Sequence, residues 1–150
     1  MAQLARFVFI ALMLMFPALA VAGPAEDANA VVERWSAAYN LNDPEAISKT
    51  YTTDALLLGT VSPIMSEGTE AIVKYFTSSK GSGNKNTLGE RRTIVLGEEA
   101  VVVAGFYDFT IVRDGKAEPF PARFTMLVIK RDGEWRIAHH HSSPRVLPKP

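Results

Sequence analysis

From Glu26 to Asn40 the apolar residues Ala30, Val31, Trp35, Ala38 and Tyr39 recur at three- and four-residue intervals, the spacing of one buried helix face. Asn40-Leu41-Asn42-Asp43-Pro44 interrupts that pattern. Asp43 before Pro44 has the form of an N-cap followed by a first-turn proline, so a short second helix is expected to about Thr50. Tyr51 to Thr60 reads as a strand. Gly68 to Ser78, with Ala71, Ile72, Tyr75 and Phe76, reads as a third helix.

Beyond Ser78-Ser79-Lys80-Gly81-Ser82-Gly83 the period changes to two, in four β-rich runs: Thr87 to Gly97, Ala100 to Val112, Pro121 to Lys130 and Glu134 to Ser142. Gly97-Glu98-Glu99, Arg113-Asp114-Gly115 and Arg131-Asp132-Gly133 separate them as turns, which makes neighbouring strands antiparallel. Helices first and strands afterwards, with no internal repeat, predicts an α+β fold: three N-terminal helices packed on a curved, mainly antiparallel sheet.

The first segment follows neither period. Arg6 precedes a run from Phe7 to Ala20 that is almost wholly apolar, and Ala20-Val21-Ala22 places small residues where a signal peptidase reads. About 14 apolar residues fall short of the roughly 20 needed to span a bilayer. Residues 1–22 are therefore expected to be a signal peptide cleaved after Ala22, residues 23–145 a single domain, and residues 146–150 a flexible tail. This predicts a periplasmic or secreted protein with no membrane attachment once the leader is removed.

Removing the leader takes away Arg6 and no acidic residue, so 16 basic and 16 acidic residues become 15 and 16. A net charge of −1 without a basic stripe argues against nucleic acid as a partner. The chain has no cysteine, which excludes disulfides, thiol catalysis and thiolate metal sites.

All three histidines, His139, His140 and His141, fall in the last predicted strand. Alternation sends His139 and His141 to one face and His140 to the other. If Phe124, Met126 and Val128 face the helices, pairing places Phe106, Asp108 and Thr110, and Ala138, His140 and Ser142, on the same side. Asp108 beside His140 in an apolar cavity could orient the ring and raise its basicity, so these two are the candidate catalytic residues. Equally, the two could simply satisfy each other's hydrogen bonds. Trp35, Tyr39, Tyr51, Met126 and Ser142 complete the candidate ligand-binding set.

The other face would then collect Tyr107, Phe109, Ile111, Arg123, Thr125, Leu127, Ile129, Trp135, Ile137, His139 and His141. So apolar a surface calls for a partner, which predicts a homodimer formed sheet against sheet. Tyr107, Arg123, Leu127, His139 and His141 are its candidate interface residues, or pocket residues if the faces are inverted. His139 and His141 lie about 7 Å apart by strand rise. Zinc would need further ligands, and no other His and no Cys exists to supply them, so neither metal nor cofactor is expected.

The order of elements resembles the cone-shaped fold of the nuclear transport factor 2-like superfamily, which includes ketosteroid isomerases, scytalone dehydratases and SnoaL-like cyclases. Arg131-Asp132-Gly133-Glu134-Trp135 through His139-His140-His141-Ser142-Ser143-Pro144, with Gly68-Thr69-Glu70-Ala71-Ile72 at the third helix, resembles more narrowly the association domain of calcium/calmodulin-dependent protein kinase II and its stand-alone bacterial relatives. The isomerase likeness implies a base at the position of Gly59 and an oxyanion tyrosine at that of Trp35, and this chain has neither. The kinase likeness implies an arginine-lined cavity, yet the matching positions are Asp108, Met126 and Ser142. Asp54 reads as a strand-entry residue.

The expectation is an exported homodimer that binds a small, partly apolar organic ligand in its cone without catalysis. Two alternatives accompany it: a SnoaL-like enzyme using Asp108 and His140 for proton transfer, and an oligomeric assembly module.

Overall fold

Burial follows the helical period over Pro24–Asn40 (α1), where Ala28, Val31, Val32, Trp35, Ala38 and Tyr39 form one inward stripe. The computed structural model describes residues 22–146; the expected leader, apart from Ala22, and residues 147–150 of the expected tail lie outside them. Pro44–Ser48 (α2) begins where Asp43 Oδ1 accepts from the Glu45 and Ala46 amides at 3.0 and 3.1 Å, the cap its sequence predicted.

Then come Tyr51–Leu58 (β1), Met65–Glu67 (β2), Gly68–Thr77 (α3), Lys85–Val95 (β3), Ala100–Arg113 (β4), Lys116–Arg131 (β5) and Glu134–Pro144 (β6). The three-residue strand β2, too short for a periodic signal, was not anticipated. The six strands form one curved open sheet in the order β2-β1-β6-β5-β4-β3. Every neighbouring pair is antiparallel except β1 with β6, which runs parallel because the rest of the chain intervenes between them. The helices cover one face of the sheet.

Register decides which side chains meet those helices. Asp114 and Gly115, and Asp132 and Gly133, all have positive φ, which makes both hairpins two-residue turns whose twist matches the strands. The first turn sets Arg113 opposite Lys116, and from there Tyr107 opposite Ala122 and Gly105 opposite Phe124. Val101, Val103, Tyr107 and Phe109 therefore face the helices with Ala122, Phe124, Met126 and Val128. The expectation that Phe106, Asp108 and Thr110 share this face is corrected by one residue: those side chains point outward. A slip of one place in pairing exchanges the two faces of a strand.

The sheet has three register shifts, one between β1 and β6 beyond Tyr51 and two that shape the wall of the cone. In β6, Val128 pairs with Ile137 but Leu127 pairs with His139, leaving Ala138 as an extra residue. Ile137 is thus inside, against expectation, while His140 and Ser142 still face inward beyond the bulge. In β3 the register shifts between Leu88 and Arg91, opposite Gly105. A Cβ on Gly105 would lie 2.6 Å from both Glu90 O and Arg91 Cβ, so the bend requires glycine there.

Candidate functional site

His140 is the deepest polar side chain of the cone, 1% exposed on the central strand β6. Trp35 from α1 meets it edge-on, with ring centroids 5.2 Å apart at 89°, and stacks on Tyr107 at 5.7 Å and 17°. Tyr107 in turn stacks on Phe124 at 4.8 Å. Aromatic packing from one helix and three strands therefore fixes the imidazole.

Hydrogen bonds set its protonation. Trp35 Nε1 donates to Tyr51 Oη at 2.9 Å, and Tyr51 Oη lies 2.8 Å from His140 Nδ1. Tyr51 therefore has its own proton available for the ring, which places the imidazole hydrogen on Nε2, 3.3 Å from Tyr107 Oη. Tyr107 donates to Ser142 Oγ at 2.5 Å, and Ser142 Oγ meets Thr60 Oγ1.

Burial holds His140 neutral, lowering its pKa to about 3, with the charges His139 and His141 would carry as further causes. Burial also pushes Tyr107 and Tyr51 well above the ordinary tyrosine value, and Tyr39 up to about 12. At neutral pH the network is a string of uncharged groups.

Beside it lies a cavity of about 240 Å³, walled by Trp35, Tyr39, Leu57, Phe76, Phe109 and Phe120, with Tyr107, His140, Ser142 and Thr60 as its polar floor. Tyr75 closes one side next to Gly59, where any Cβ would fall 2.2 Å from the Tyr75 ring. The position matching the isomerase base is thus occupied by an aromatic wall. Arg113, at the β4–β5 turn, is the cation that lines the rim; its side chain is 65% exposed and lies 3.6 Å from Glu118.

Of the residues expected to contact ligand, Trp35, Tyr39, His140 and Ser142 line the cavity. Tyr51 stands behind His140 rather than on the cavity wall, and Met126 is wholly buried opposite His140 in the sheet. Asp108 is outside, where Arg145 binds it at 2.8 Å while lying over Phe106. The expected Asp108–His140 pair does not form, because the Asp114-Gly115 turn sends Asp108 to the opposite face. Tyr107, expected at the interface, is instead the residue that links His140 to Ser142. That turn carried the signal for both corrections.

The remaining interface candidates lie on the face away from the helices. Arg123, Leu127, His139 and His141 face outward. Ile94, Val102, Leu127, His139 and Leu56 are neighbours in one cross-strand row on this helix-free side. Phe109, Ile111, Trp135 and Ile137, also expected here, belong to the core or pack against it. Asp54 is exposed and bound by Arg131 at 3.0 Å. Among the described residues no group of three His, Asp or Glu side chains is placed to hold a metal ion.

Residues 25–146 match the family model of the calcium/calmodulin dependent protein kinase II association domain. A Xanthomonas campestris protein described as such an association domain is 33% identical, with a TM-score of 0.75 over 83% of this chain and 93% of that one. A ketosteroid isomerase-like protein from Erwinia carotovora atroseptica is 19% identical, with a TM-score of 0.69 over 82% of this chain and 97% of its own. A dehydratase-like protein of the nuclear transport factor 2-like family from Streptomyces avermitilis is 13% identical, with a TM-score of 0.72, covering 81% and 96%. These last two show likeness of fold alone. No curated protein matches the chain.

Proposed function

The chain belongs to the calcium/calmodulin dependent protein kinase II association-domain family, and from that premise we propose that it is an exported homodimer that holds a small, partly apolar organic molecule in its cone without transforming it. The observation that carries this reading is the floor of the cavity. His140 has both ring nitrogens bound by tyrosine hydroxyls, has no carboxylate partner among the described residues and is held neutral, so it can position Tyr107 for a ligand but is a weak proton acceptor. Aromatic walls around a few convergent polar groups are the usual composition of a ligand site.

The mostly apolar row through Leu127, half-buried except for the exposed Ile94, supports the dimer, since a sheet face that no described helix covers leaves such residues to be covered by a second copy. The leader expected over residues 1–22 supports export. Native mass spectrometry of the protein purified from its own host tests all three parts. A dimer starting at Gly23 with a reproducible small-molecule adduct is the expected result. A clean, empty oligomer would instead favour the second reading, an assembly module, to which the family's association domain lends weight.

A further inference from the structure

The floor of the cavity is a hydrogen-bonded chain whose protons point one way. Trp35 can only donate, so Tyr51 accepts from it and gives its proton to His140 Nδ1; His140 Nε2 then faces Tyr107, and Tyr107 donates to Ser142. Ser142 closes on Thr60, leaving a single hydroxyl proton free at that end. What the chain otherwise presents to the void is acceptor capacity, the unused lone pairs of Tyr107, Ser142 and Thr60.

Among the described residues no cationic side chain reaches this floor. Arg113 stands at the rim, largely exposed and beside Glu118. A carboxylate driven inward would lose its water and meet only neutral donors, the free hydroxyl at that end and those of Tyr39 and Tyr75, with no opposite charge, the arrangement that makes buried ions costly. A hydroxyl group suits the site better, because it can donate to the free lone pairs and accept the one free proton. The walls, Trp35, Phe76 and Phe109 among them, offer ring faces and edges to a flat apolar body. At about 240 Å³ the space lies below the roughly 300–1,000 Å³ common for ligand pockets, which limits that body to one or two rings.

We infer that the cone selects a small neutral phenol or aromatic alcohol, its hydroxyl set among Tyr107, Ser142 and Thr60, and discriminates against a carboxylate of the same shape. This rests on the cavity being a binding site, as proposed above.

The test is calorimetric titration of residues 23–150 at neutral pH with 4-ethylphenol, 4-ethylbenzoate and ethylbenzene, with Trp35 fluorescence followed in parallel. The expected order is the phenol at least about tenfold tighter than the benzoate and several-fold tighter than ethylbenzene. Ser142→Ala and, separately, Thr60→Val should shrink the phenol's advantage over ethylbenzene while leaving ethylbenzene itself unchanged. Benzoate binding as tightly as the phenol, or a phenol advantage that survives both substitutions, would overturn the inference and leave the binding reading standing. Silence from all three probes up to their solubility would overturn the binding reading, and the inference with it.

Discussion

His140 and its neighbours His139 and His141 share one strand and one chemistry, yet they occupy opposite electrostatic worlds. On the concave side, aromatic rings exclude water, burial holds His140 neutral and two tyrosines bind its ring. On the convex side His141 is exposed and His139 half-buried, and among the described residues no helix lies above them. What differs is the side of the sheet, and burial on one side alone penalises the charged form of a ring.

The sharpest way to break the comparison is to delete each ring in turn. His140→Ala removes a fully buried side chain and strands Tyr51 and Tyr107, so it should lower unfolding free energy by about 3 kcal/mol or more. His141→Ala should change it by less than about 0.5 kcal/mol in the same urea titration. Equal losses would show that the two faces are not as different as their burial implies.

Acid should act on the concave side next. A histidine whose folded pKa is near 3 binds its proton more readily unfolded, where the ordinary value is 6.5. Its contribution is therefore fully present above about pH 6.5 and is lost as pH falls from there toward 3, at up to about 1.4 kcal/mol per pH unit. Chemical denaturation at pH 7, 5.5 and 4.5 checks this, and His140→Gln should flatten the dependence across that window.

The convex side is sharpened by Leu127→Asp, which puts a charge in the middle of the apolar row. Sizing chromatography should show the proposed dimer converted to monomer while the fold is retained, because the cone core is untouched. A persisting dimer would place the interface elsewhere.

A small effect is also expected from Asp108→Asn. The carboxylate is 56% exposed and its pairing with Arg145 is screened by solvent, so stability should fall by under about 1 kcal/mol. Ligand affinity should not change at all; a large loss of binding would return Asp108 to the site.

Much of this was legible in the chain itself. The three helices announced themselves by apolar spacing and by the Asp43-Pro44 cap, and the long strands by alternation between turn residues. Even the inward place of Tyr107 was encoded, since a two-residue Asp114-Gly115 turn fixes the pairing of β4 with β5; reading β4 by alternation alone, without counting from that turn, put Asp108 in its stead.

The sequence by itself determined the α+β class, the order of elements and the concentration of histidine on one strand, because these follow from local periodicity and turn chemistry. Which histidine lies inside was decided only in three dimensions. Carried straight from the Asp132-Gly133 turn, the pairing that buries Ile137 would also have buried His139 and His141. The extra residue Ala138 reverses the alternation and brings His140 in, to Tyr51 and Tyr107. No local pattern marks that bulge, because it arises from how the sheet curves around its core, and that curvature is a property of all six strands together.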